Sequence, residues 1–354
     1  MLIAGQIIII LLVLILPLSI HMIEKNLEVF LFLMGIISAT ISHFCGQEHV
    51  WSAHLIKEAL TEPVKITLAV ICAGFLFKRF RDRITAGITD FEQRIGPHFF
   101  AFFFIVLLGL LSSIITAIIA AIVLVEIINA LQLDRKFETR LTIIACFAIG
   151  LGAVLTPIGE PLATIATAKL KGSPYHAGFF FLFKTLWSLV VPGVVAFGII
   201  GAFLRSAQGF NNTLTKKETK EETTKEILLR AGRVYIFVMA LIFLGTGFKP
   251  VIDLYIVPLG VKTLYWINTV SAVLDNATLT SAEISPKMKI EQIQFALMGL
   301  LIAGGMLVPG NIPNIIAASK LDIKSKEWAK FGVPVGFAFL IIYFILMYVF
   351  LLRQ

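Results

Sequence analysis

Apolar residues run along this chain in blocks rather than in alternation. Eight blocks reach the length of a membrane crossing: 2–20, 27–44, 62–78, 141–168, 177–204, 230–248, 292–319 and 331–352. A helix crosses ~30 Å of hydrocarbon in about 20 residues. Two further stretches, 98–131 and 252–285, are too long for one crossing and carry small or polar residues at their middles. Ser112-Ser113 interrupts the first, and Ser271 with Leu274-Asp275-Asn276 interrupts the second. Each reads as a re-entrant helical hairpin. The pattern predicts an all-α polytopic membrane protein with about eight crossings, two re-entrant hairpins and two discontinuous helices.

The discontinuous helices come as a pair. Residues 155–170 read LTPIGEPLATIATAKL and residues 307–321 read LVPGNIPNIIAASKL. A shift of 151 matches Gly159 with Gly310, Ile165 with Ile316, Ala166 with Ala317, Lys169 with Lys320 and Leu170 with Leu321. Each copy follows a hairpin stretch and precedes a final span, so the repeated unit crosses three times and the copies have opposite orientation. The chain then divides into a first half (1–205), a linker (206–229) and a second half (230–354). Pro157, Gly159 and Pro161, and Pro309, Gly310 and Pro313, are expected to unwind each helix near mid-membrane. Such backbone is tolerated there only where protein or a cavity satisfies it. Paired interrupted helices point to a transporter's binding site, with simple proline kinks as the plainer reading.

Composition fits this picture. Hydrophobic residues make up 58% of the chain and charged ones 15%, with a mean hydropathy of +0.92. A soluble protein carries about 25% charged residues, so the main partner is lipid. The net charge of +8 resides in short connections and gives no reason to invoke nucleic acid. Counted on the eight-crossing plan, twenty of the thirty Lys and Arg fall on the side of the linker. That side is cytoplasmic by the positive-inside rule, which puts both termini outside a cell membrane, plasma or inner. The first twenty residues lack a basic start and a cleavage site and read as a span. No cofactor motif and no enzyme motif (HExxH, GxSG) occurs.

Ionisable groups inside a membrane are costly and usually functional. Asp275 falls at the tip of the second hairpin stretch beside Asn276 and before Thr278; the alternative is an exposed loop carboxylate. Glu160 falls in the first break, with a helix cap as its alternative. The repeat places Thr116 opposite Asp275, provided Ser112 matches Ser271, and Asn311 opposite Glu160. Either carboxylate can hold a proton or a cation, the minimum needed for exchange. Asp275 and Glu160 are thus the candidate ligands of a transported cation. Ser113, Thr116, Thr156, Gly159, Ser271, Asn276, Thr278, Asn311 and Asn314 are the candidate uncharged ligands. Glu126 and Glu283 read as interfacial, or as relay groups; Lys169 and Lys320 read as interfacial anchors. His43, Cys45, Glu48, His49 and His54 match no metal motif and read as an outer loop.

SAVLDNATLT (271–280) and LTPIGEPLAT (155–164) resemble the ion transporter superfamily, which holds NhaD-type sodium/proton antiporters, arsenite permeases and divalent-anion/sodium symporters. The first looks like the Leu-Asp-Asn hairpin of the NhaD-type antiporters and the second like their Thr-Pro-Ile-Gly-Asp break. The whole looks closest to a compact branch of cation transporters. The resemblance implies a central ion site, sodium or a similar cation exchanged for protons, and a homodimer. Ser-Asn-Thr, which the anion symporters carry at both tips, stands at neither tip here, and the second half has two fewer spans before its hairpin. Sodium-coupled symport of a small anion, held at the helix ends that start at Pro161 and Ile312, is the alternative reading.

Cysteines introduced at Thr215 and near Gln354, in a background lacking Cys45, Cys72 and Cys146, are expected to react with an impermeant thiol reagent from opposite sides of a sealed membrane. Labelling from one side overturns the eight-crossing count.

Overall fold

The computed structural model describes residues 2–20, 22–23, 26–45, 50–131, 133–207, 223–251, 254, 260–273 and 276–351. Among these residues every regular element is helical. The first half contains Leu2–Ser19 (α1), Leu27–Cys45 (α2), Ala53–Ile95 (α3), Pro97–Ile115 (α4), Ala117–Ala130 (α5), Arg135–Ala153 (α6), Pro161–Lys169 (α7) and Phe181–Ala207 (α8). The second half contains Thr224–Val251 (α9), Val261–Ile267 (α10), the 3₁₀ turn Asn268–Ala272, Asn276–Glu283 (α11), Ile290–Gly304 (α12), the 3₁₀ turn Val308–Gly310, Ile312–Lys320 (α13) and Ser325–Leu351 (α14). Most of the linker, part of the segment before α10, Leu274, Asp275, Glu48 and His49 lie outside the described residues.

Four helices, α4, α8, α9 and α14, are long and apolar enough to cross a membrane. They turn Phe99, Phe203, Leu228 and Phe350 outward, each more than half exposed. A water-soluble chain rarely leaves so much large apolar surface uncovered. This is an all-α membrane protein.

One expected span has a different form. Residues 62–78 lie inside α3, a helix of 43 residues, about 65 Å long at 1.5 Å per residue. The basic segment after residue 78 was expected to be a connection. It continues as helix because it carries no proline, and the helix stops only at Gly96 with φ 82°, ahead of Pro97.

The expected break at Ser112-Ser113 falls elsewhere. Both serines remain helical, their hydroxyls donating to Gly109 O at 2.6 Å and Leu110 O at 2.7 Å. Bonds of this kind let serine sit inside a helix. The break is at Thr116, whose φ of 77° and ψ of 148° are strained for a β-branched residue. Two bonds hold it there. Ala117 N donates to Gly159 O at 2.8 Å, and Ile119 N donates to Thr116 Oγ1 at 3.4 Å.

The chain reverses at that break. Along α4, Ile105 shares a contact with Leu141 at Gly201, and Ser112 Oγ reaches Ile149 O at 3.0 Å, so α4 runs parallel to α6. α13 runs antiparallel to α6: Cys146 Sγ lies 3.7 Å from Pro313 O, and Arg135 donates to Leu321 O at 2.7 Å. α5 lies along α13, with Ile122 packed with Ile316 and Glu126 paired to Lys320. α5 therefore returns against α4.

The second half has its own turn against a helix. Ser271 Oγ donates to Leu300 O at 3.3 Å, and Asn268, before the turn, bonds Glu283, after it. α11 packs on α7 as α5 packs on α13. The two halves meet through stacked rings: Phe197, itself stacked on Phe147 at 5.3 Å, lies 4.1 Å from Phe339. Tyr343 closes the same seam by donating to Leu189 O at 2.6 Å.

Close backbone crossings need glycine at particular points. A Cβ on Gly152 would strike the Gly109 carbonyl, whereas one on Gly87 meets nothing within 4 Å. Gly152→Ala is expected to destabilise the detergent-solubilised protein by about 3 kcal/mol or more. Gly87→Ala is expected to stabilise it by about 0.5–1 kcal/mol, because it raises helix propensity without a clash. Thermal unfolding of the two variants checks both signs.

Candidate functional site

Each helix break is an irregular segment in an apolar interior, so its backbone groups need partners from the protein. At the first break, between α6 and α7, Thr156 Oγ1 donates to Ser113 O on the hairpin and accepts from Ile158 N at 3.3 Å. Thr164 Oγ1 donates to Pro157 O at 2.5 Å. Gly159 folds back so tightly on Ala153 O that no Cβ fits. Pro161 opens α7, a position where its missing N–H costs nothing.

At the second break, between α12 and α13, Asn314 Nδ2 donates to Gly304 O and Leu307 O, both at 2.8 Å. Trp328 Nε1 donates to Gly305 O at 3.2 Å. Gly310 faces Gly304 O, Ala272 O and Ser271 O, leaving no room for a Cβ. Pro313 sits in the first turn of α13.

The two breaks share one local geometry. Glu160 before α7 has φ −157° and ψ 161°; Asn311 before α13 has φ −153° and ψ 148°. Both resumed helices have nine residues and end on a leucine, Leu170 with φ −93° or Leu321 with φ −96°. Ser112 and Ser271 bond carbonyls of Ile149 and Leu300, which are themselves 151 residues apart.

The second break reaches the helix that leads to the first. Asn311 Nδ2 lies against Gly150 of α6, and Asn276 Nδ2 lies beside Gly304 of α12. Asn276, Asn311, Asn314, Ser271, Ser113, Thr156, Glu160 and Gly310 are all buried. Asn276 Nδ2 and Asn314 Oδ1 have no hydrogen-bond partner, and such buried atoms invite a ligand. Glu160 is 5% exposed and occupies the cap position of α7 without a side-chain capping bond. The alternative of a carboxylate cap thus lacks its defining contact. Asp275 and the Thr278 side chain lie outside the described residues, although Asn276, directly after Asp275, opens α11 against α7.

Other groups sit differently from their expectations. Lys320 is not an interfacial anchor: its side chain is 4% exposed and pairs with Glu126 at 3.2 Å. The arm that packs on α13 brings the carboxylate to it, so the amine has no need to reach water. Lys169 is exposed. Glu283, expected at an interface, is 4% exposed. Its partner Asn268 escaped the sequence reading; an amide within the apolar arm TLYWINTVSA was the available signal. Arg135 joins the halves by bonding Glu138, Leu321 O, Asp322 O and Glu327. No three described His, Cys, Asp or Glu side chains gather as metal ligands.

A family model for proteins of unknown function, DUF1646, matches residues 3–350. The chain belongs to the DUF1646 family. No curated protein matches it. The breaks and both hairpins of this DUF1646 member all fall within the matched region.

Replacing Asn314 with alanine removes two bonds that close the second break. Asn314→Ala is expected to cost about 1–3 kcal/mol, the penalty for unsatisfied buried carbonyls. Asn314→Asp should cost more, since a carboxylate would face two carbonyl oxygens. An aspartate variant as stable as wild type in thermal unfolding would show that the amide does not hold the break.

Proposed function

We propose that this protein is a secondary active transporter of a small cation, exchanging a monovalent ion such as sodium for protons by alternating access. The observation that carries the reading is a pair of helix breaks, each met by a hairpin turn, with Asn311 of the second break set against the helix that leads to the first and with Asn276, Asn314, Thr156 and Glu160 buried beside the breaks. Small cations prefer such hard oxygen ligands, and carbonyls at the ends of broken helices are a recurrent source of them. Asp275, directly before α11 in the sequence, supplies the second carboxylate in this reading. A carboxylate holds a proton or a cation but not both at once, so binding one releases the other.

The matched torsions and serine bonds 151 and 159 residues apart support an inverted repeat, with α4–α5 and α10–α11 as re-entrant hairpins. α1, α2, α3, α6–α7, α8, α9, α12–α13 and α14 are then the eight crossings of a cell membrane. Both termini lie outside, and the working form is a homodimer. Glu160 disfavours anion symport, because a carboxylate already stands at the positive end of α7.

Reconstituted in proteoliposomes, the wild type is expected to move protons when a sodium gradient is imposed, with potassium, lithium and divalent ions run in parallel. Asp275→Asn should abolish this exchange with the fold intact. Glu160→Gln should abolish it or shift its pH dependence. Normal exchange by Asp275→Asn, or carboxyls more than ~15 Å apart, about three helical turns, would overturn the shared site.

A further inference from the structure

The second hairpin holds a polar pair that the junction of the breaks does not use. Asn268, 1% exposed, and Glu283, 4% exposed, face each other across the hairpin. Asn268 Nδ2 donates to Glu283 Oε2 at 3.0 Å and to Ala296 O at 3.1 Å. Both bonds run to acceptors, which fixes the orientation of the amide. Asn268 Oδ1 and Glu283 Oε1 are left buried with no donor. In the corresponding places 159 residues earlier stand Gly109 and Leu124, so the scaffold itself requires neither group.

A carboxylate there would keep a full charge in apolar surroundings with one neutral donor, which is costly. Among the described side chains, the neighbouring elements bring it no cation. On α7, Lys169 is exposed; on α9, Arg233 pairs with Glu28, and Lys225 and Lys249 are exposed. On α10, Lys262 lies over the Tyr348 ring, and Tyr265 donates to Leu340 O. Glu291 on α12 and Glu226 on α9 add only negative charge, and neither bonds Glu283. A metal cation is a poor match, because hard cations take about six oxygens and this pair has two unpaired side-chain oxygens. A proton needs one oxygen and no added volume.

We propose that Glu283 is a further proton-binding group of this chain, its acid form held in the hairpin by Asn268 and separate from the carboxylates at the breaks. Protonated, Oε1 changes from an orphaned acceptor into a donor, and the buried charge disappears. Its part in transport rests on the cation-exchange reading above: one proton leaves Oε1 as one monovalent cation enters at the breaks, so charge balances.

Infrared titration of the purified full-length protein, with no gradient and no sodium, tests the protonation by itself. The wild type should show a carboxylic-acid C=O band at neutral pH. Glu283→Gln, which keeps shape and neutrality, should lose that band and bind about one proton fewer per chain across the titration. Asn268→Ala should shift the band, which guards against a Glu283→Gln protein that fails to fold. A band unchanged in both variants overturns the proposal. In proteoliposomes, Glu283→Gln should lose sodium-driven proton movement, and unchanged movement would also overturn it. If the wild type shows the band but no exchange, the transport reading falls and Glu283 remains a protonation site.

Discussion

An interrupted helix in an apolar interior must find every lost backbone partner within the protein, and the centre of this molecule is arranged around that requirement. The two breaks free carbonyls and amides at a depth where water cannot serve them. Side chains from the resumed helices close part of the debt: Thr164 takes Pro157 O, and Asn314 takes Gly304 O and Leu307 O. The hairpin turns close the rest. Ala117 N donates to Gly159 O, Thr156 reaches Ser113 O, and Ser112 and Ser271 reach the helices just before the breaks. Each hairpin therefore has to bring its turn to a break, and that fixes where polar groups gather in a chain otherwise short of them.

Glycine sets how close the pieces come. Gly152 lets α4 ride against the α6 backbone, and Gly159 and Gly310 let each break fold onto the end of its own helix. Once the backbones are this close, each resumed half-helix projects beyond its own half and packs on the other half's hairpin arm, α13 on α5 and α7 on α11. A shift of one break is then felt by the opposite hairpin. The buried Glu126–Lys320 pair sits on one of these crossings. The pair ties α5 of the first half to α13 of the second.

Much of this was legible in the residues. Paired Leu-x-Pro segments with glycine marked both breaks, because proline and glycine have few reasons to share the middle of a span. The turn at Thr116 was not legible, since serine reads as the weaker helix former. Ser112 and Ser113 stay helical by donating to the carbonyls of Gly109 and Leu110, one turn earlier, and the strained residue is a threonine held from outside by Gly159. The extent of α3 was hidden for the opposite reason: a charged, proline-free segment looks like a connection but is a good helix former. Lys320 and Glu283 were misjudged because hydropathy reports depth along a helix, whereas burial here depends on which arm packs alongside.

The differences between the halves carry the remaining step. Backbone geometry at the breaks is nearly the same, so chemistry is assigned by substitution: Glu160 against Asn311, Asn314 against Ala163, Asn268 against Gly109, Glu283 against Leu124. If both members of every pair carried charge, the centre would hold several carboxylates and repel itself strongly at low local dielectric. If neither did, nothing would distinguish a cation from water. Placing each carboxyl in only one half keeps the charge low enough to bury and leaves a neutral residue at the matching place. Glu160 is buried at the start of α7, while Glu283 faces a single amide across its own hairpin. In the exchange proposed above, the proton sits at Glu283 and the cation at the breaks, two places set in different surroundings.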